Sequence, residues 1–282
     1  MTNKKNLPKA LFRAIKSNWY KGDKTAFCSV TSLIKPPKEI ILEMRHRDEI
    51  IEDAGDLIWS LMGSAMHKVI EAGEGQDSIT EERLSVDILG KKITGAFDNF
   101  EDGVISDYKF TSVWTVIYND DNFQRWTEQQ NCYAYMLRKA GFDVKGLQIV
   151  AIFRDWSKTK AERQANYPQS QVMTIPLELW SEQRQLEFME DKVNTISEYL
   201  NTDDDDIPVC SPEDRWQKPT KYAVMKDGRK SALKLFTDKD LAEKMVEEKG
   251  VDRYYVQTRK SVPKKCLDYC NVKHFCNFGR NV

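Results

Sequence analysis

Apolar residues recur three or four positions apart within residues 53–74, a spacing that predicts a helix. Three runs of strand character follow it, at 82–89, 91–100 and 103–110. A glycine-containing turn separates each pair of neighbouring runs, which favours antiparallel hairpins. The pattern therefore predicts one helix followed by three antiparallel strands.

A second helix is predicted over residues 122–141, with Gly141 just beyond its end, and an apolar strand over 145–153. The order helix, three strands, helix, strand indicates one compact α/β core with a mixed sheet flanked by helices. An edge strand at 171–177 and a long helix at 178–201 extend this core.

The acidic stretch at residues 202–208 separates a C-terminal piece from the core. This piece predicts a hairpin around Asp227 and Gly228, a helix with Asp238 as its N-cap, and a final strand. We therefore predict a basic N-terminal arm at 1–24, a core at 25–200 and an α+β piece at 201–282.

Composition narrows the class of protein. The chain has 282 residues, 40% of them hydrophobic, and a net charge of −1. No apolar run approaches the roughly 18 residues of a membrane span, and the N-terminus lacks the apolar core of a signal peptide. Six cysteines, three of them within 266–276, favour a metal site in a reducing compartment over a disulfide framework. We expect a cytoplasmic protein without a membrane partner.

Positive charge is concentrated in two segments, 1–24 and 215–234, each with seven Lys or Arg and with Trp and Tyr nearby. Such segments are often plain solvated surface. Their separation and their aromatic neighbours nevertheless favour a polyanionic partner. If that partner is a nucleic acid, we predict that Lys226, Arg229 and Lys230 contact its phosphate backbone without reading bases.

The hairpin at residues 95–110 carries two acids and an amine. Asp107 and Lys109 are two apart on one strand and share a face, and Asp98 lies on the partner arm. Two close carboxylates repel each other unless a cation lies between them, and Mg²⁺ or Mn²⁺ suits oxygen ligands. The backbone carbonyl of Tyr108 can supply a further oxygen. A salt bridge on an exposed hairpin is the alternative.

The two helices around the hairpin add further polar groups. His67 and Glu71 lie four residues apart on the first helix, and Gln129 and Tyr133 four apart on the second. Residues with this spacing share a helix face, so each pair can act on one site. Ordinary surface or packing roles are the alternative for all four.

The motifs G-x-x-x-H-x-x-x-E, G-x-x-D, D-Y-K and Q-x-x-x-Y occur in this order from Gly63 to Tyr133. Together they resemble the RecB-like branch of the PD-(D/E)XK nuclease superfamily, which includes stand-alone phage nucleases and CRISPR-associated exonucleases. The resemblance implies a restriction-endonuclease-like core and Mg²⁺- or Mn²⁺-dependent hydrolysis of DNA phosphodiester bonds.

The resemblance also implies roles for single residues. It makes His67, Asp98 and Asp107 side-chain metal ligands and Lys109 the catalytic lysine. Gln129 and Tyr133 would hold the scissile phosphate or the attacking water, and Glu71 would lie behind the ligands. Many relatives have Glu where Asp107 stands.

We expect an exonuclease that acts on DNA ends or single strands in repair, recombination or phage replication, alone or with a helicase or recombination partner. The alternative is a non-catalytic DNA-binding or complex-forming protein that keeps the fold.

The cysteines form the pattern C-x3-C-x5-C at Cys266, Cys270 and Cys276. Several RecB-like nucleases bind a [4Fe–4S] cluster through a similar C-x2-C-x5-C pattern, and four thiolates also suit Zn²⁺. We favour Cys210 over Cys28 as the fourth ligand, because it lies in the same C-terminal piece.

Two further residues of a type that binds metals are His274 and Cys132. His274 lies within the cysteine motif, so a zinc site with one histidine ligand is an alternative. Cys132 lies beside Tyr133 on the second predicted helix and is interpreted as packing.

Overall fold

The computed structural model describes residues 1–18, 25–73, 75, 78–80, 82–118 and 123–282. The helices are α1 Lys9–Asn18, α2 Val30–Leu33, α3 Pro37–Arg45, α4 Ile58–Glu71, α5 Trp114–Ile117, α6 Gln124–Lys139, α7 Lys158–Arg163, α8 Glu182–Glu198, α9 Lys239–Lys249, α10 Lys264–Asp268 and α11 Asn277–Arg280. The strands are β1 Cys28–Ser29, β2 Ile79–Thr80, β3 Arg83–Ile88, β4 Lys91–Ala96, β5 Asn99–Glu101, β6 Val104–Thr111, β7 Gly146–Phe153, β8 Val172–Leu177, β9 Lys221–Lys226, β10 Lys234–Phe236 and β11 Tyr254–Arg259.

The chain folds into two compact units. The first comprises residues 1–35 and 51–201, and the second residues 36–50 and 202–282. The division after residue 201 lies beside the predicted acidic boundary. The assignment of residues 36–50 differs from the predicted core, because α3 is grouped with the C-terminal residues.

The first unit contains two sheets. Five strands lie in the order β2-β5-β6-β7-β8, and three lie in the order β1-β4-β3. Strands β6 and β7 are parallel, and β8 pairs antiparallel with β7 at the edge. A parallel neighbour requires a crossover connection, which α6 supplies between β6 and β7. The first unit therefore combines a mixed sheet with helices, in agreement with the predicted α/β class.

Strand β7 forms the centre of the first unit. Its side chains alternate between buried and half-buried, and Ile149, Ala151 and Phe153 are fully buried. They pack with Val113 and Ile175 in one apolar cluster. Burying an aliphatic or aromatic side chain of this size contributes roughly 1.5–3 kcal/mol, so this cluster fixes the position of β6 beside β7.

The predicted strand 91–100 is wrong in one respect, because it is two strands in two different sheets. Strand β4 ends at Ala96, the chain bends at Phe97 and Asp98, and β5 begins at Asn99. Phe97 is 1% exposed, so the bend is anchored by a buried ring. A periodic sequence pattern does not reveal this bend, since both halves retain strand character.

The two predicted hairpin turns are confirmed. Leu89 and Gly90 both have positive φ, at 51° and 73°, and so do Asp102 and Gly103, at 51° and 84°. Two successive left-handed residues are the signature of a type I′ turn, whose twist matches that of the strands it joins. These turns set the register of β3 with β4 and of β5 with β6.

Part of the predicted basic arm is structured. Helix α1 buries Ile15, and the Asn18 amide donates to Ser64 Oγ on α4 at 2.9 Å. The described part of the segment thus belongs to the first unit and is not a separate arm. Trp19 and Tyr20 lie outside the described residues.

The second unit contains the sheet β10-β9-β11, on which α9 packs through Ala242 and Val246. The predicted N-cap is confirmed, because Asp238 Oδ1 accepts from the Asp240 amide at 2.8 Å. The predicted turn is also present, with Gly228 at a φ of 75°.

Helix α3 joins the second unit through two buried charges. Lys38 is 1% exposed, and its Nζ donates to the carbonyls of Asp204 at 2.8 Å and Ile207 at 2.7 Å. Glu39 forms an ion pair with Lys265. Lys and Glu in a first helical turn are typical of surface, so the sequence gives no sign of these contacts.

Within the described ranges, none of the helices combines the length and apolar composition that a membrane span requires.

The acidic loop of the second unit surrounds a histidine. His46 Nε2 lies 2.7 Å from Asp204 Oδ2, and His46 Nδ1 lies 2.7 Å from Glu49 Oε1. Hydrogen bonding to Asp204, and less strongly to Glu49, raises the pKa of His46. Although partial burial acts to raise it, the pKa of Asp204 is lowered overall by hydrogen bonds from His46 and Arg45.

We predict a pH-dependent contribution of His46 to stability. Its raised pKa makes the contribution full below the unfolded value of about 6.5 and lost as pH rises through the folded value. At the acid end, the contribution of Asp204 is lost as pH falls below about 4. The melting temperature of His46→Gln should therefore fall below wild type near pH 5.5, with the gap closing towards pH 9.

Gln183→Leu provides the control, because Gln183 is an exposed side chain on α8 that does not titrate, so this variant should keep the wild-type pH profile. A constant gap between wild type and His46→Gln at every pH would contradict the assignment.

Candidate active site

The bend between β4 and β5 places Asp98 beside β6. Asn99 pairs with Ser106, so Asp98 stands opposite Asp107 at the end of the ladder. The Asp98 Oδ2 atom accepts a hydrogen bond from the Tyr108 amide at 2.8 Å. This bond fixes the carboxylate against the strand that carries the other two candidate residues.

Asp107 and Lys109 lie on one face of β6, as predicted. Lys109 Nζ is 2.6 Å from Asp107 Oδ2, and the Asp107 side chain is 4% exposed. Gln130 Nε2 of α6 donates to Asp107 Oδ1 at 3.0 Å. Oδ2 is buried and has no hydrogen-bond partner among the described residues, so Lys109 balances its charge without a directed bond.

Burial dominates the electrostatics of Asp107. It raises the pKa of Asp107 to about 6 against the attraction of Lys109, and the neighbouring Asp98 carboxylate adds to the rise. The protein thus holds a buried acid beside a second acid, an arrangement that a cation would relieve.

The histidine of α4 reaches the same place. His67 Nδ1 lies 3.3 Å from Asp98 Oδ1. Glu71, one turn further along α4, is exposed. The structure therefore brings His67, Asp98, Asp107 and Lys109 together.

Gln129 and Tyr133 contact each other. Gln129 Nε2 donates to the Tyr133 hydroxyl at 3.1 Å, and both side chains are buried. Burial raises the pKa of Tyr133; the Gln129 hydrogen bond opposes this, while Asp107 and Asp98 add to it. The pair therefore lies within electrostatic reach of the two acids.

Gly95 explains how Tyr133 comes so close to β4. A Cβ at position 95 would stand 2.7 Å from Tyr133 Cε1 and 3.0 Å from Val30 Cγ2. Since real side chains do not approach that closely, the G-x-x-D motif needs its glycine for packing against the tyrosine.

Gln130 is the site residue that the sequence analysis missed. Spacing to Tyr133 selected Gln129, yet the next residue contacts the acid. Neighbouring helix residues differ by about 100° in direction, so only the docking angle of α6 decides which glutamine faces β6. The one available signal was that Gln129 and Gln130 both lie in a polar run, residues 127–131, that is followed by the apolar half of the helix.

The donor set fits a hard divalent ion in chemistry, because it offers the carboxylate oxygens of Asp98 and Asp107 and the imidazole of His67. In the described part of the chain, however, no three His, Cys, Asp or Glu side chains are grouped so that they could hold a metal ion.

Four cysteines line one small cavity in the second unit. Its volume is about 30 Å³, roughly the space of one or two water molecules, and its lining includes Cys210, Cys266, Cys270 and Cys276. Burial raises the pKa of Cys210 to about 12 and that of Cys270 to about 11.

The other two cysteines belong to the first unit. Cys28 is buried in β1, and Cys132 is 1% exposed on α6, where it packs in the core.

The three basic residues predicted to bind DNA are exposed in the second unit. Lys226 ends β9, and Arg229 and Lys230 lie in the connection to β10. Arg229 Nε donates to Ser231 Oγ at 3.1 Å, while the Lys226 ammonium lies 5.8 Å from the ring of Tyr254.

Comparison with known proteins gives little further guidance. No protein-family model matches the sequence, and no curated protein matches it. Among solved structures, SSO0001 is similar over 65% of this chain and 83% of its own, at 16% identity and a TM-score of 0.44. A Eubacterium rectale protein designated "putative exonuclease" is similar over 66% of this chain and 71% of its own, at 17% identity and a TM-score of 0.33. Structural similarities with TM-scores this low do not assign this chain to a family or a function.

We predict that Gln130 stabilises the buried acid. Gln130→Leu keeps the approximate side-chain volume but leaves Asp107 Oδ1 without its donor. Leaving a buried acceptor unsatisfied costs about 1–3 kcal/mol, so the free energy of unfolding should fall by that amount in metal-free urea denaturation.

Gln183→Leu is the matched control, because Gln183 is exposed and donates to Glu187 at 2.8 Å on α8. It should change the free energy of unfolding by less than about 0.5 kcal/mol. Equal effects of the two variants would show that the Gln130–Asp107 hydrogen bond contributes no more to the free energy of unfolding than an exposed hydrogen bond does.

Proposed function

We propose that the protein is a metal-dependent DNA nuclease with a PD-(D/E)XK core of the RecB-like branch. One observation carries the proposal: a buried Asp107 carboxylate, ion-paired through Oδ2 with Lys109 at 2.6 Å, lies beside the bend that holds Asp98. An exposed salt bridge, the alternative from sequence, does not explain this burial, because isolated buried charges are costly.

The ion would be Mg²⁺ or Mn²⁺. The side chains of His67, Asp98 and Asp107 and the backbone carbonyl of Tyr108 would hold it. When bound, such an ion polarises phosphoryl oxygens and lowers the pKa of a coordinated water. Imidazole is a softer donor than carboxylate, which favours acceptance of Mn²⁺ alongside Mg²⁺.

The remaining roles belong to the chain itself. The Lys109 ammonium, held 2.6 Å from Asp107, offers a positive charge to the phosphoryl oxygens as they gain negative charge. Gln130 fixes the direction of the Asp107 carboxylate. Roles for Gln129 and Tyr133 in holding the phosphate or the water, and for Glu71 behind the ligands, stay predictions.

The substrate we propose is DNA at ends or in single strands, cleaved as an exonuclease in repair, recombination or phage replication. A helicase or recombination protein would be the partner where a motor is needed. Lys226, Arg229 and Lys230 would contact the phosphate backbone, which carries most of the sequence-independent affinity for DNA.

The cysteine cavity would hold a [4Fe–4S] cluster or, as the alternative, Zn²⁺. Its lining by Cys210 supports Cys210 over Cys28 as the fourth ligand. Thiols kept for metal binding suit a reducing compartment, and we propose the cytoplasm.

The nuclease activity is tested by substitution at the acid–amine pair. Labelled linear and circular DNA, single- and double-stranded, is incubated with EDTA, Mg²⁺ or Mn²⁺. Wild type should cleave only with metal. Lys109→Ala and Asp98→Ala should lower cleavage at least a hundredfold, since removing one preorganised charge-stabilising group typically costs about 10²–10³ in rate.

Lys145→Ala is the control, because Lys145 is exposed and pairs loosely with Asp143 at 3.9 Å. It should cleave like wild type. Folding and DNA binding should survive in all three variants. Wild type that binds DNA without cleaving it would favour the non-catalytic alternative, and full activity in Lys109→Ala would overturn the catalytic assignment.

The cysteine site is tested by metal content. Protein purified without oxygen should contain iron and absorb broadly near 400 nm if the ligand is a cluster, or about one zinc if it is Zn²⁺. Cys210→Ala should lose the metal and loosen the second unit, because structural metal binding contributes directly to folding. Cys28→Ala should keep the metal. Wild-type protein that contains neither iron nor zinc would contradict the proposed cysteine metal site.

A further inference from the structure

Two exposed aromatic rings lie on α5 and its C-cap, in the segment that begins five residues after Lys109. The apolar residues of α5, Val116 and Ile117, pack inward against the core cluster. Trp114 and Tyr118, four residues apart, point the other way and are 41% and 67% exposed. Their rings stack at 5.4 Å with an angle of 12°. The helix therefore presents one flat aromatic face to solvent.

A third exposed ring and two cations lie nearby. Trp59, on the first turn of α4, is 55% exposed, and the Arg154 guanidinium lies 4.4 Å above its ring. The Lys160 ammonium lies 5.3 Å from the ring of Trp114. We call these five residues (Trp59, Trp114, Tyr118, Arg154 and Lys160) the aromatic–cation surface.

Backbone contacts hold this surface together. The Arg154 amide donates to the carbonyl of Thr111, the last residue of β6, at 2.9 Å. The Asp155 carboxylate accepts from Ser112 Oγ at 2.6 Å and from the Val113 amide at 2.8 Å. The segment after β7 is thus tied to the segment that leads from β6 into α5.

The surface is joined directly to the catalytic elements. Trp114 follows Lys109 by five residues along the same segment, and α4 carries both Trp59 and His67. Trp59 and His67 are eight positions apart, which is a rise of about 12 Å along the helix axis. That distance equals three to four base-stacking distances of about 3.4 Å. A strand whose bases lie on the rings can therefore reach the acid–amine pair with its backbone.

We propose that the aromatic–cation surface binds unpaired bases of single-stranded DNA and guides the strand to Asp107 and Lys109. Exposed flat rings stack on bases of any sequence, and adjacent Arg and Lys match the phosphates. Bases within a duplex already stack on each other, so the surface selects single strands. The guiding step rests on the proposed nuclease function, whereas the binding step does not.

The test measures binding with metal-free full-length protein in EDTA. Fluorescence anisotropy follows three labelled probes: oligothymidylate, an abasic oligomer of equal length and charge, and a duplex. Trp114→Ala and Trp59→Ala should each weaken oligothymidylate binding by roughly tenfold, within the range known for loss of base stacking. Their affinities for the abasic oligomer and the duplex should stay at wild-type values.

Met173→Ala is the control, since Met173 is 40% exposed on the edge strand β8 and belongs to neither site. It should bind all probes like wild type. Equal weakening for oligothymidylate and abasic oligomer would show that the surface acts by charge alone, which overturns the stacking proposal. Unchanged oligothymidylate binding in both tryptophan variants overturns it as well.

The two proposals fail separately. Wild type that shows the stacking-dependent binding but cleaves no DNA with Mg²⁺ or Mn²⁺ refutes the nuclease and leaves the binding surface intact. Wild type that cleaves DNA while its tryptophan variants bind unchanged refutes the surface and leaves the nuclease intact.

Discussion

The buried carboxylate of Asp107 is the constraint on which the first unit depends. A charge removed from water must be matched by donors and opposite charges. Two elements supply the match: Lys109 from the same strand and Gln130 from α6. The Asp98 carboxylate, held by the Tyr108 amide, opposes them because it carries the same charge. The fold brings these groups to one place because β6 and β7 are parallel, which requires the crossover that places α6 on the sheet.

The burial of Asp107 also makes the candidate site electrostatically unfavourable as it stands in this structure. A protein built for stability alone would replace close acids by apolar groups of similar volume, which is often neutral or stabilising. Here Asp98 and burial together raise the pKa of Asp107, and one of its oxygens lacks a hydrogen bond. Perturbed acids of this kind cluster at functional sites, although structural networks also produce them.

The sequence predicts those features that depend on neighbouring residues, and it does not predict those that depend on residues far apart in the chain. Local signals succeed: the turns at Gly90 and Gly103, the cap at Asp238 and the end of α6 at Gly141, which has a φ of 94°. Each depends on a few neighbouring residues. The bend at Asp98 and the choice of Gln130 over Gln129 depend on how sheets and helices dock, which no local pattern encodes. That Asp98, Asp107 and Lys109 lie close together was nevertheless predictable, because strand alternation and hairpin register are themselves local.

The second unit shows the limit most clearly, since it is built from segments far apart in the chain. Its apolar cluster of Val224, Ala242 and Val246 is small. Residues 36–50 join it through the buried charges of Lys38 and Glu39, on a helix that also buries Ile40, Ile41 and Leu42. Any ligand that binds only the folded form of this unit adds to its stability. The cavity lined by four thiols lies beside those same buried charges, with Lys38 and Glu39 in its wall. A ligand bound in that cavity would therefore also stabilise the docking of α3 within the second unit.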